Sequence, residues 1–299
     1  MQIQRICLSL RTIKSKPLIK ILSSLVDIEL FQNQDGIEPI GLVPTMGALH
    51  QGHMSLVEQA LSENKSVVVS IFVNPTQFDN PKDLEAYPRT FKNDISLLES
   101  LNDKNIYVFT PKVDVMYSDK VVSEKFDFEG LENQMEGAFR KGHFNGVGTI
   151  VKSLFELIKP NKAYFGEKDF QQLQIIKKLV EIYDIPVDIV PCKIVRESDG
   201  LAMSSRNSRL SKPHRQVASF IYKTIAEAKN KFGTKSANKV IEWVQKEFEK
   251  QPLLKLEYFT IADENTLTPI VRKSKDKSYR AFIAVYAGEI RLIDNISLK

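Results

Sequence analysis

The sequence predicts an α/β protein: a parallel sheet with helices on both faces, followed by a smaller C-terminal α+β domain. Three observations carry this expectation. Short apolar, β-branched runs recur at 40–43, 66–74, 105–109, 163–165 and 187–195, and the first three run into Pro44, Pro75 and Pro111, which end ladder hydrogen bonding. Stretches with helical spacing alternate with them, as a parallel sheet with right-handed crossovers requires. Beyond residue 195 the pattern changes to two polar amphipathic helices and then a group of strands.

Taken in order, residues 1–26 hold Arg5, Arg11, Lys14, Lys16 and Lys20 and no acid. Leu18, Ile19, Ile21, Leu22 and Leu25 recur at helical spacing, so this stretch is expected to be a native helix rather than a targeting segment, which would need an apolar core or a transit-peptide pattern. The strand at 40–43 precedes a glycine-bearing turn, and His53 is expected to open the helix that continues through 54–61. The strand at 66–74 is the most β-branched run and reads as central. Thr90 caps a helical pattern carrying Ile95, Leu97, Leu98 and Leu101. Periodicity weakens between 114 and 145, with a short helical stretch at 131–135, and a mobile segment is expected there. Helices at 148–158 and 171–183 flank the strand at 163–165, and the strand at 187–195 closes the sheet. The result is a Rossmann-like first domain over 1–195. The remainder, 196–299, reads as a second domain with helices at 213–232 and 237–250 and strands at 256–261, 280–285 and 289–292. Residues 273–277 form a solvated hairpin turn.

Bulk properties exclude several classes. With 42 basic and 37 acidic residues interspersed, the charge of +5 does not imply a nucleic-acid surface and suits an anionic small substrate. No apolar run approaches the roughly 20 residues of a membrane helix. Cys7 and Cys192 lack metal-ligand or disulfide spacing, which points to a reducing, cytoplasmic setting and to two inert thiols.

Chemistry concentrates in three clusters. In PTMGALHQGH, at 44–53, a strand ends, Gly47 and Gly52 allow close backbone approach, and a helix begins. The free N–H groups of such a start favour phosphates, and His50 and His53 can donate further hydrogen bonds to a triphosphate. FGEKDFQQ, at 165–172, repeats the strand-to-helix junction, with Lys168 placed to neutralise phosphate charge and Asp169 to accept from ribose hydroxyls or orient the lysine. GLAMSSRN, at 200–207, offers Ser204, Ser205 and the fork of Arg206 to phosphate oxygens.

The His-x-Gly-His spacing resembles the signature of the class I aminoacyl-tRNA synthetase and nucleotidyltransferase superfamily, and the serine–arginine segment resembles its Lys-Met-Ser-Lys-Ser loop. Together with FVNPTQF at 72–78, YPRT at 87–90, EGAFRKGHFNGV at 136–147 and RLIDN at 291–295, the clusters resemble the pantoate–β-alanine ligase family over nearly the whole chain. That resemblance implies ATP as a substrate with Mg2+ on its phosphates, pantoate and β-alanine as the other substrates, a homodimer, and a pantoyl-adenylate intermediate. It implies that Met46, Gly47, Ala48, Leu49, His50, Gln51, Gly52 and His53 line the ATP site, with His53 as acid or proton donor. Gly166, Glu167, Lys168 and Asp169 would hold ATP from the facing strand end, Val195 would contact adenine through its backbone, and Met203, Ser204, Ser205 and Arg206 would cover the phosphates. His53, His50, Lys168 and Arg206 would carry the catalysis.

Gln77 and Gln172 are implied to bind the pantoate and β-alanine substrates. Side-chain amides donate and accept at once, as hydroxyl recognition needs, while Pro44, Met46 and Phe72 can pack the gem-dimethyl centre. Tyr87 and Arg140 lie on stretches that in the family fold over the site. Lys141 stands where the family usually has proline. No metal ligand set is legible, and Asp94 is at most an outer contact. The alternatives are an adenylyltransferase acting on another small acceptor, a phosphorylated one favouring additional arginines at 77 and 172, and a binding relic without turnover, which the intact clusters disfavour.

Overall fold

The computed structural model describes residues 19–117, 120–270 and 272–299. Six parallel strands form the first sheet: β1 (Lys20–Leu22), β2 (Ile40–Thr45), β3 (Ser66–Ile71), β4 (Ile106–Phe109), β5 (Lys162–Gly166) and β6 (Asp188–Cys192), in the order β1-β4-β3-β2-β5-β6. The alternation of side chains along each strand explains its composition. Leu42, Val68, Tyr107, Phe109, Ala163 and Phe165 face one core, while Val43, Val67, Val69, Ile106, Val108 and Tyr164 face the other. A strand buried on both sides needs apolar residues at every position, which is why these runs are continuous rather than alternating. The helices His143–Ile158 and Phe170–Tyr183 cover the first face, and Gln51–Glu63 and Phe91–Glu99 the second.

Strand β1 corrects the expectation of a helix at 18–25. It is a three-residue edge strand beside β4, and the helix starts only at Leu25, capped by Ser24. Three residues are too few to show a period of two, so leucine and isoleucine spacing mimicked a helix. Residues 1–18, with most of the basic stretch and Cys7, lie outside the described residues. The expected helix at 213–232 is two, Lys212–Val217 and Phe220–Thr234.

The chain's last strands, β7 (Leu254–Asp263), β8 (Tyr279–Ala287) and β9 (Ile290–Ser297), make an antiparallel sheet in that order. Phe259, Ile261, Ala281, Ile283 and Val285 pack beneath the helices Phe220–Thr234 and Ala237–Glu249. The opposite face docks on the core of the first sheet, which Phe282 joins, 5.9 Å from Phe170. Among the described residues no helix is long and apolar enough to cross a membrane. Cys192 is buried, which pushes its thiol up to about 11 and leaves it unreactive at neutral pH.

Candidate active site

From β2 the chain moves outward through β3 and β4, and it later returns to β2's other side as β5 and β6. The carboxyl ends of β2 and β5 therefore flank the point where strand order reverses, the place where open α/β sheets leave a crevice. The turns after these two strands are the histidine and lysine clusters.

The histidine turn is held from beneath. Gly47 and Ala48 have positive φ (76° and 50°), and Asp94, 1% exposed, accepts the amides of Ala48 at 3.1 Å and Leu49 at 2.9 Å. Asp94 thus shapes the loop and does not face the cleft, which sets aside its reading as an outer metal contact. The helix begins at Gln51, two residues before the expected start, because His50 is its N-cap: its Nδ1 accepts from the Gly52 amide at 3.1 Å. His53 Nδ1 in turn accepts from the His50 amide at 3.3 Å. With both Nδ1 atoms accepting, each neutral ring carries its proton on Nε2, so both have a donor left over for a ligand. Burial and the charge of Lys168 lower His50 to about 4, and burial, His50 and Lys168 lower His53 to about 3. At neutral pH both are uncharged donors. Gly52 is required here, since a Cβ would lie 2.8 Å from the His50 ring.

Across the cleft, the turn Glu167–Asp169 presents Lys168, whose Nζ is 3.7 Å from Asp169 Oδ1. The serine–arginine loop approaches from above. Ser204 caps the turn Ser205–Arg209, the Ser205 hydroxyl is 3.1 Å from that of Tyr87, and Arg206 Nη2 donates to Asp83 at 2.8 Å while Arg209 donates to the same carboxylate at 3.0 Å. Val195 lines the cleft, and its carbonyl already accepts from the Met203 amide at 3.0 Å.

Gln77 is positioned by a dense polar set. Asn74 Nδ2 donates to its Oε1 at 3.3 Å, its own Nε2 meets Met46 Sδ at 3.0 Å, and its backbone carbonyl accepts from His143 Nδ1 at 2.8 Å and Arg140 Nη2 at 3.3 Å. The helix His143–Ile158 comes this close only because residue 146 is glycine. A Cβ there would lie 2.4 Å from Thr76 O and 2.6 Å from Gln77 N. Gly146→Ala is therefore expected to cost about 1–3 kcal/mol of stability through overpacking and, if Gln77 holds pantoate as the family resemblance implies, to raise the KM for pantoate. Steady-state kinetics and thermal unfolding check this, and an unchanged KM would show that Gln77 does not contact pantoate. Gln172 faces the cleft, while its neighbour Gln171 is buried and ties down the carbonyls of Leu131 and Gln134.

These groups open onto one cleft with two contiguous lobes of about 220 and 420 Å³, which share Lys168, Asp169, Gln172, Ser204 and Arg206. Met46, His50, Gly52, His53, Gln77, Gly166, Val195, Met203 and Ser205 line the first lobe. Gly47, Ala48, Leu49, Gln51 and Glu167 do not line either: the first three shape the loop, Gln51 is exposed, and the Glu167 carboxylate turns toward Arg280 at 3.8 Å. Tyr87 borders the first lobe and Arg140 the second. Sequence reasoning missed Lys193 in the first lobe and Asp83, Asp294 and Asn295 in the second. A pair of polar residues inside the strand-like run at 290–297 was the available signal for the last two.

A parallel sheet with paired imidazoles and a lysine facing each other across its switch point, beneath a loop rich in hydroxyls and guanidinium, defines a nucleotide-binding enzyme of the α/β class. Residues 19–297 match the family described as pantoate-beta-alanine ligase. The pantothenate synthetase of Christiangramia forsetii is 60% identical over 259 residues, 87% of this chain and 91% of that one, and that of Flavobacterium psychrophilum 59% identical over 260 residues, 87% and 92%. Among solved structures, the pantothenate synthetase of Thermus thermophilus is 36% identical with a TM-score of 0.86, over 94% of this chain and 99% of that one. The ligase of Francisella tularensis, solved with beta-gamma ATP and β-alanine, is 35% identical with a TM-score of 0.76, over 94% and 98%. The chain belongs to the pantoate–β-alanine ligase family. It is an ATP-using ligase that joins pantoate to β-alanine through a pantoyl adenylate, releasing AMP and pyrophosphate. The reading as an adenylyltransferase for another acceptor falls with this membership.

Proposed function

We propose that the cleft between β2 and β5 carries out both half-reactions, with the triphosphate between the histidine turn and Lys168. The observation that supports this is the convergence of three segments distant in sequence on one cleft. His50 and His53 donate Nε2–H to phosphate oxygens as neutral rings, which supports hydrogen-bond donation rather than proton release as their role at neutral pH. Lys168 neutralises charge as the pantoate carboxylate attacks the α-phosphate, and Arg206 exchanges its Asp83 partner for phosphate oxygens when the nucleotide arrives. The Val195 backbone borders adenine.

Pantoate lies between Gln77 and Gln172, with its methyl groups against Phe72, Val147 and Ile150, which line the same lobe. β-Alanine then attacks the acyl carbonyl at that point, and Tyr87 and Arg140 gate the cleft. No covalent enzyme intermediate is needed, so the protein's work is alignment, charge neutralisation and exclusion of water from the mixed anhydride. Among the described residues no three His, Cys, Asp or Glu side chains are grouped to hold a metal. Mg2+ enters with the nucleotide as part of the substrate, held by phosphates and water, as a hard cation that keeps several waters is expected to be. We place the enzyme in the cytoplasm as a homodimer formed through the larger domain, over residues 1–195, with residues 196–299 completing the cleft.

Supplying ATP, Mg2+ and pantoate without β-alanine is expected to give pantoate-dependent exchange of labelled pyrophosphate into ATP. Absence of exchange would reject adenylation as a separable step in this cleft.

A further inference from the structure

The last strand of the small sheet reaches back into the nucleotide site. Asp294 and Asn295 stand side by side on β9, 4% and 2% exposed. A strand disfavours both residue types, and burial of either is costly without partners. Here the partners belong to the cleft. Asn295 Oδ1 accepts from Arg280 at 2.6 Å, and its Nδ2 donates to the backbone carbonyls of Glu167 at 2.9 Å and Lys168 at 2.8 Å. Asp294 grips Arg196 through two bonds of 2.6 and 3.0 Å, and Arg196 donates to the Gly200 carbonyl and lies 3.9 Å over the Tyr222 ring. Residues 196–202 are the root of the serine–arginine loop. Two neighbouring side chains on one strand thus hold both walls of the phosphate site.

We propose that Asn295 and Asp294 are positioning residues for adenylation: Asn295 fixes the backbone from which Lys168 projects, and Asp294, through Arg196, fixes the root of the loop that carries Arg206. The inference rests on the assignment of Lys168 to the phosphates. A lysine side chain has a long flexible stem, so its reach is set by where its backbone is pinned, and small misplacements of such groups are expensive in rate. The small sheet is therefore part of the catalytic scaffold rather than a detached cover. Its apolar contact with the first domain, Phe282 on Phe170, lies beside the same turn.

Asn295→Asp isolates the effect, because it keeps the oxygen that accepts from Arg280 and replaces the donor with an oxygen facing two carbonyls. Pantoate-dependent pyrophosphate exchange is expected to fall up to about 10²-fold in kcat, with pantoate KM unchanged. Asn295→Ser, which shortens the side chain and removes the amide without adding charge, should show the same split if the aspartate variant folds poorly. In a Lys168→Ala background the further loss from either Asn295 variant should vanish, since the asparagine acts through the lysine. Full exchange in folded Asn295→Asp and Asn295→Ser, or an equal loss with and without Lys168, would overturn the positioning role. Lys168→Ala with wild-type exchange would instead overturn the lysine assignment and this inference with it.

Discussion

Lys168→Ala is expected to lower pantoate-dependent pyrophosphate exchange by about 10²–10³, the usual effect of removing one preorganised group that stabilises transition-state charge. Lys168 faces the histidine turn across the switch point, and the two lobes of the cleft meet at it. Its charge matters most when the α-phosphate gains a fifth oxygen, so kcat and kcat/KM should fall together while pantoate KM stays near its wild-type value. Lys168→Arg should recover only part of the rate, because the planar fork cannot place its charge where the compact ammonium does. Near-normal exchange in the alanine variant would remove Lys168 from the mechanism.

His53→Ala should have a comparable cost, again about 10²–10³. This ring has two tasks that can be separated. Nδ1 accepts the His50 amide and so shapes the helix start, whereas Nε2–H is the donor left for phosphate. Asparagine can imitate the first and glutamine the second. Higher activity in His53→Gln than in His53→Asn is expected if donation to phosphate dominates, and the reverse order would make His53 a helix cap only.

The pH dependence follows the same chemistry. Burial holds His53 at about 3 and His50 at about 4, so neither gains a proton until the pH falls well below their usual 6.5. Exchange should therefore show no histidine titration between pH 5 and 8, and should fail in acid as a protonated Nδ1 loses its capped amide. A rate governed by a group of pKa 6–7 that disappears in His53→Gln would contradict the neutral-donor assignment.

Much of the fold was legible because its central strands are buried on both sides. Residues 66–71 had no position free for a polar group facing water, and Pro75 follows the end of β3; Pro44, expected to end its strand, lies inside β2, which pairs on through Thr45. Strand β1 was hidden by its brevity and exposed edge. The start of the first long helix was misplaced by two residues because histidine is an unusual N-cap, and only the packed structure shows His50 serving there. Strand β9 was read as 289–292, yet it runs Ile290–Ser297. The shortfall, 293–297, holds Asp294 and Asn295, where the demands of the site override strand preference. The site's three clusters were visible as strand-to-helix or strand-to-loop junctions. What the sequence could not show were the groups acting from a distance, Asp94 under the histidine turn and Asp83 opposite Arg206, since neither lies near its partner along the chain.

The bond from Asn295 to Lys168 joins residues 127 positions apart. At typical synthesis rates of 5–20 residues per second, a ribosome needs on the order of ten seconds to supply the missing partner. The first sheet can assemble during that interval, but its lysine turn lacks this pin until β9 emerges and docks. Competence for acyl activation thus waits on β9 rather than keeping step with the growth of the nucleotide fold.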